Sequence, residues 1–224
     1  MQISTATEKT QKPKKMTDIN KRALIIIDVQ NDFITGSLTV DQAARVVPVF
    51  NKLREENKWD LIVLTQDYHP ADHVSFAANH EGAALFSTIE LKDGTEQIMW
   101  PVHCVQGTEG AEFHPELVVR ESDVIVFKGC NPEIDSYSGF YDNQKKNKTT
   151  LDEILKRNGI TQTYIAGIAL DVCVKFSALD SASLGYETYL IEDASKGLSE
   201  ASEQKALEEL RQAGVKIVQS NEIL

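Results

Sequence analysis

Apolar residues fall into short, nearly continuous runs separated by longer stretches of helical period, and no internal repeat or low-complexity tract breaks that alternation. This is the pattern of βαβ units, which build a mainly parallel sheet. Residues 23–29 (ALIIIDV) predict a buried strand, because a half-exposed strand would alternate polar with apolar positions and this one is almost wholly aliphatic. Residues 61–65, 124–127, 163–168 and 188–191 repeat the pattern, and residues 215–219 make a sixth strand. Between them, residues 41–57, 149–158, 171–184 and 200–213 predict helices. Gly159 and Gly214 stand just past two of the ends, where a left-handed residue commonly closes a helix.

One segment departs from the rhythm. Residues 68–121 are too long for a βα loop, and such length inside a compact domain predicts a functional excursion or a small cap. The chain of 224 residues, 42% hydrophobic, suffices for one core, so a single domain over residues 22–224 is expected. The polar residues 1–21 are expected to form a mobile extension. They lack the apolar centre of a signal peptide, and their acidic Glu8 and Asp18 disfavour a transit peptide.

A net charge of −11 changes the picture of partners, because attraction to phosphate needs clustered Lys and Arg. Nucleic acid and anionic membrane surfaces are therefore disfavoured, and a small molecule is the expected partner, with self-association left open. No apolar run approaches the length of a membrane span. Cys104, Cys130 and Cys173 are odd in number and form no CxxC pair, which argues against a disulfide framework or zinc ribbon and for a reducing, cytoplasmic setting.

In an open parallel sheet, ligands bind beyond the carboxyl ends of the strands, so polar residues at those ends are the candidates for chemistry. Asp28 falls at the end of the first strand, Asp67 just past the second, Lys128 at the end of the third and Cys173 in the turn after the fourth. Singly, each has a bland reading as a helix cap, a snorkelling lysine or a small buried hydrophobe. Together they suggest a nucleophile, a base and a cation on one rim. Cys173 follows Gly167-Ile168-Ala169-Leu170-Asp171-Val172, where a strand hands over to a helix whose positive end would favour thiolate. That turn also offers backbone N–H groups for an oxyanion. Cys130 is the rival nucleophile, but it leads into Asn131-Pro132 with no helix terminus.

Asp67 and His69 stand two residues apart, so in extended backbone they project to one side and can share an ion. His73 and His103 offer further donors, and such a His/carboxylate set suits zinc, iron or manganese. His80 and His114 have no carboxylate at ligand spacing and are expected to be solvated or hydrogen-bonded.

Taken in order, these residues resemble the nicotinamidase and pyrazinamidase branch of the isochorismatase-like hydrolases, over about residues 22–222. The motifs are Asp28-Val29-Gln30-Asn31-Asp32-Phe33, Asp67-Tyr68-His69-Pro70 with His73-Val74-Ser75-Phe76, and Trp100-Pro101-Val102-His103-Cys104-Val105-Gln106-Gly107. Lys128-Gly129, Tyr137-Ser138-Gly139-Phe140 and the turn over residues 167–174 complete the set. The resemblance implies a Rossmann-like three-layer α/β sandwich and a triad of Asp28, Lys128 and Cys173. It implies metal ligands Asp67, His69 and His103, with His73 a ligand in some members only. Phe33, Trp100 and Tyr137 match the walls that hold a pyridine ring, and a cis peptide is expected between Ile168 and Ala169.

The activity implied is hydrolysis of nicotinamide to nicotinate and ammonia, in salvage of pyridine nucleotides, with pyrazinamide a further substrate. A single divalent metal, zinc ahead of iron or manganese, is expected to orient the ring or to supply the deacylating water. The expected course is attack by Cys173 with Asp28 as base, an oxyanion on the N–H groups of Ala169 and Cys173, and a thioester that water cleaves. Two rivals share the scaffold: an amidohydrolase of N-carbamoyl compounds, which needs no metal for a ring nitrogen, and a silent binding protein.

Overall fold

The computed structural model describes residues 20–223. Its centre is a six-stranded sheet built from β1 (Lys21–Ile27), β2 (Leu61–Asp67), β5 (Val124–Lys128), β6 (Ile160–Gly167), β7 (Glu187–Ile191) and β8 (Lys216–Val218). The order is β5-β2-β1-β6-β7-β8 and every pairing is parallel. A separate antiparallel pair, β3 (Thr88–Glu90) and β4 (Glu96–Ile98), lies within the long excursion after β2.

The near-continuous apolar character of β1 has a direct cause: both faces of the sheet are covered. Leu24, Ile26 and Leu64 turn to one side, where α2 (Val46–Glu56) packs Val46, Val47, Phe50 and Leu53. Ile25, Ile27, Val63 and Ile165 turn to the other, against α3 (Leu151–Arg157), α4 (Lys175–Ser183) and α5 (Glu200–Gln212). The result is the three-layer α/β sandwich expected from the sequence. Phe50 is fully buried in the first layer, a burial that contributes on the order of 1.5–3 kcal/mol. The Ser199 hydroxyl caps α5 by accepting from Ser202 N at 3.2 Å, and Gly214 closes that helix with φ 83°.

The sheet order also determines where a ligand can sit. The chain runs from β1 outward through β2 to β5, then returns to place β6 on the opposite side of β1. Connections therefore diverge between β1 and β6, and a crevice opens beyond the carboxyl ends of the strands at that switch point.

Several boundaries differ from the sequence expectation. β1 stops at Ile27 because Asp28 turns into the left-handed region (φ 49°), a conformation that aspartate tolerates better than branched residues do. Asp67 is the last residue of β2 rather than the first beyond it. Residues 171–184 do not form one α-helix: Leu170–Val174 winds as a π-turn before α4 begins. Residues 41–57 likewise open with a tight 3₁₀ turn, Ala43–Arg45. The four-residue α1 (Asn31–Ile34) is too short to leave a periodic signal. The mobile extension expected over residues 1–21 lies outside the described residues, apart from Asn20 and Lys21, and Lys21 already opens β1. No described helix is long and apolar enough to cross a membrane.

Candidate active site

Four strand ends converge on one buried ammonium. Lys128 Nζ, at the end of β5, lies 2.8 Å from Asp28 Oδ2, 2.6 Å from Asp67 Oδ1, 3.1 Å from the Ser136 carbonyl and 3.5 Å from Cys173 Sγ. Burial alone would strip its proton, but Asp28 and Asp67 reverse that and hold the amine well above its ordinary value. Asp28 is fully buried and its carboxyl is raised to about 6, by desolvation opposed by Lys128. Thr65 steadies it by donating from Oγ1 to Asp28 Oδ1 at 2.6 Å. Oδ2 is left without a well-aligned hydrogen bond, so it retains capacity for a proton.

Cys173 sits near the end of the π-turn, 6% exposed, with its sulfur within 4.8 Å of carboxylate oxygens of both Asp28 and Asp67. Here the structure departs from the expected thiolate. Burial raises the thiol well above its ordinary value. Lys128 opposes the shift, while Asp28 and Asp67 add to it. The direction favours thiol over thiolate, which gives a neighbouring base a proton to take. The Ile168–Ala169 peptide is cis, and the Ala169 N–H has no hydrogen-bond partner among the described residues. Cys104 is buried and Cys130 exposed; neither touches the ammonium, and all three cysteines are free.

The second cluster shares Asp67 with the first. Its Oδ2 lies 3.5 Å from His69 Nε2 and 3.9 Å from His103 Nε2, and the three donors all fall within 4.8 Å of one another. Burial works against the charge of Asp67, but Lys128 and then His69 and His103 hold its carboxyl well below the usual range. His69 Nδ1 is engaged by the Gly129 carbonyl at 2.9 Å and His103 Nδ1 by the Pro101 carbonyl at 2.7 Å. These contacts orient both rings and leave Nε2 free, the arrangement that metal-ligating histidines show. His73 Nδ1 meets Ser75 Oγ at 2.8 Å, while its Nε2 is buried without a partner. Burial pushes His73 and His103 down to about 4, with His69 adding to the shift, so both are neutral and free to donate lone pairs at neutral pH. The donor set and the orphaned nitrogen fit a divalent cation.

Gly129 makes the close approach possible. Its φ is 66°, and a Cβ there would collide with the His69 ring.

Between the clusters lies a pocket whose wall includes Phe33, Trp100, Tyr137, Ala169 and Cys173 together with Asp67, His69 and His103. Trp100 Nε1 donates to the Tyr137 hydroxyl at 3.2 Å, and Phe33 packs against His103 at 5.5 Å between ring centroids. The structure thus brings every one of the predicted site residues to one pocket or its immediate support.

Comparison with known proteins agrees. Residues 22–222 match the isochorismatase domain family. The chain belongs to that family. It is 43% identical over 212 residues to a nicotinamidase of Acinetobacter baylyi, covering 94% of this chain and 98% of that one. It is similar in structure to an Acinetobacter baumanii nicotinamidase and pyrazinamidase, with TM-score 0.87, 43% identity, and coverage of 92% and 100%. A pyrazinamidase of Pyrococcus horikoshii in complex with zinc superposes with TM-score 0.72 at 38% identity, over 89% and 99% of the two chains.

Sequence reasoning missed several residues that this isochorismatase-family pocket uses. Leu38, Val40, Val172 and Leu198 complete its apolar wall, and Asp135 brings a third carboxylate. The aliphatic residues carry no signal that separates a wall from a core. Asp135 lies in an irregular loop, where no strand end or ligand spacing marks it.

Proposed function

We propose that this chain hydrolyses nicotinamide to nicotinate and ammonia, a step that returns the pyridine ring to nucleotide synthesis. One observation carries the reading: a thiol, a carboxylate and an ammonium meet at the wall of an aromatic pocket that also presents a metal-type donor set. The three similar proteins named above are a nicotinamidase, a nicotinamidase and pyrazinamidase, and a pyrazinamidase, which supports the same chemistry here.

An amide resists attack because nitrogen donates into the carbonyl and leaves as a strong base, so the site must supply a nucleophile, a proton and stabilisation of oxygen. Asp28 takes the Cys173 proton as sulfur bonds to the carbonyl carbon, and Lys128 holds carboxylate and sulfur in register. The Ala169 and Cys173 N–H groups receive the oxyanion. On collapse, Asp28 returns the proton to nitrogen, the C–N bond breaks, and ammonia leaves a thioester on Cys173. Water then adds as Asp28 takes its proton, the C–S bond breaks, and the proton goes back to sulfur. Phe33, Trp100 and Tyr137 hold the ring.

Asp67, His69 and His103, with His73 as a further donor, would hold a divalent ion, zinc in this proposal, which would supply Lewis acidity toward a ring nitrogen. Pyrazinamide, with the same carboxamide on a diazine, fits the same pocket. Three unpaired cysteines suit a reducing, cytoplasmic setting. The test is ammonia release from nicotinamide before and after chelation. Release that is absent, or indifferent to metal removal, refutes the reading, and preference for an N-carbamoyl amine favours the rival amidohydrolase.

A further inference from the structure

Beside the nucleophile turn runs a second segment that the proposed chemistry leaves unused. Residues 196–198 lie between β7 and α5, and a parallel bridge pairs Ile168 with Lys196. Lys196 N donates to the Gly167 carbonyl at 3.1 Å, and the Lys196 carbonyl accepts from Leu170 N at 2.9 Å. Leu198 N donates to Asp171 Oδ1 at 3.1 Å. Ala169, which lines the pocket, therefore stands between Gly167 and Leu170, both bonded to the backbone of Lys196. The same segment ends in Leu198, a further residue of the pocket wall.

A carboxylate from the first turn of α5 holds this segment in place. Glu203 Oε1 accepts from Gly197 N at 2.6 Å and pairs with Lys196 Nζ at 2.9 Å, and the charged side chains are only 13% and 11% exposed. Both contacts share one oxygen and involve a charge that solvent screens little, so the path of residues 196–198 is tied to the position of that atom. Gly197 allows the approach, since a Cβ there would stand 2.7 Å from Glu203 Cγ and 2.8 Å from Asp171 Oδ1. The segment is gripped from both sides, by Asp171 of the nucleophile turn and by Glu203 of α5. Lys196, Gly197 and Glu203 themselves stand outside the pocket wall.

Resting on the proposed oxyanion hole at the N–H groups of Ala169 and Cys173, we infer that Glu203 is a positioning residue for that turn, acting through Lys196 and Gly197. The oxyanion forms only as the carbonyl is attacked, so a displaced donor weakens the transition state and leaves binding of the planar amide nearly unchanged. A misplacement of about 1 Å can cost about a hundredfold in rate. Removal of the Glu203 carboxylate frees Gly197 N and leaves the Lys196 ammonium without its counterion, so the segment relaxes and carries its bonds to Gly167 and Leu170 with it.

The test compares the full, zinc-supplied parent with Glu203→Ala and Glu203→Gln in nicotinamide hydrolysis, normalised to folded protein, and in the binding of two ligands. Nicotinate is planar, whereas pyridine-3-carbaldehyde adds a thiol at its carbonyl and so presents a tetrahedral oxygen to the same N–H groups. Glu203→Ala should lower kcat by about tenfold to a hundredfold and weaken the aldehyde in step, with KM and nicotinate affinity within about threefold of the parent. Glu203→Gln, whose Oε1 can still accept from Gly197 N, should recover part of that kcat. A kcat for Glu203→Ala within about threefold of the parent, whatever its loss of stability, makes the contact merely structural and overturns the inference. A loss shared equally by KM, nicotinate and the aldehyde overturns it too, by placing the effect on the Leu198 wall. Should Glu203→Ala not fold, Glu203→Asp draws the carboxylate back from Gly197 by one methylene, and the same readings decide. A parent that neither hydrolyses nicotinamide nor binds the aldehyde removes the proposed function and this inference with it.

Discussion

Replacing Asp28 by asparagine separates the chemical role of this carboxylate from its cost to the fold. Complete burial pushes the native carboxyl up from 3.8 to about 6, a rise only partly opposed by Lys128. Two units correspond to about 3 kcal/mol at 1.36 kcal/mol per unit. Because the folded state binds this proton more tightly than the unfolded chain, the associated stability is present in full below about pH 4 and is lost as pH rises through about 6. Asparagine has no proton to lose. The stability of parent minus variant should therefore fall by about 3 kcal/mol between pH 4 and pH 7.5, measured by urea unfolding of metal-stripped protein through the fluorescence of Trp59 and Trp100. At the same time kcat/KM of the variant should drop by several powers of ten, as removal of a catalytic base does. In the parent, kcat/KM should fall with unit slope below about pH 6, where the base is already protonated. Stability curves that stay parallel across this range, or a variant within about tenfold of parental activity, would falsify the account of Asp28 as a strained buried base.

Other substitutions reach different parts of the molecule. Cys173→Ala should abolish turnover by several powers of ten and remove the acyl adduct that rapid-quench mass spectrometry detects in the parent; a retained adduct would place the nucleophile elsewhere. Gly129→Ala drives a methyl group into the His69 ring at a left-handed position, so metal affinity measured by titration should weaken about tenfold or more, and unchanged affinity would show that His69 is not held there. Far from the pocket, Arg54 and Asp123 form a buried pair through contacts of 3.0 and 2.8 Å, and Asp123→Ala should cost about 3–5 kcal/mol by leaving a buried guanidinium uncompensated. Activity per folded molecule should survive that change; a matching loss of kcat would tie this pair to the site.

Much of this was legible in the residues alone, for local reasons. A strand covered on both faces must be apolar at every position, which is why residues 23–29 stand out, and helices with one buried stripe keep their period. Groups that do chemistry on an open parallel sheet sit at strand ends, so Asp28, Lys128 and Cys173 are marked by their positions, and the two-residue step from Asp67 to His69 marks a shared ligand. What the chain could not reveal is whatever depends on summed surroundings. The balance at Cys173 depends on burial set against two carboxylates and one ammonium brought by the ends of β1, β2 and β5, and its direction runs against the pull of the helix terminus. Asp135 becomes a pocket residue only when Gln97 is folded against it from the excursion after β2. Periodicity is written residue by residue, whereas desolvation and the long-range pairing of charges exist only once distant segments have met.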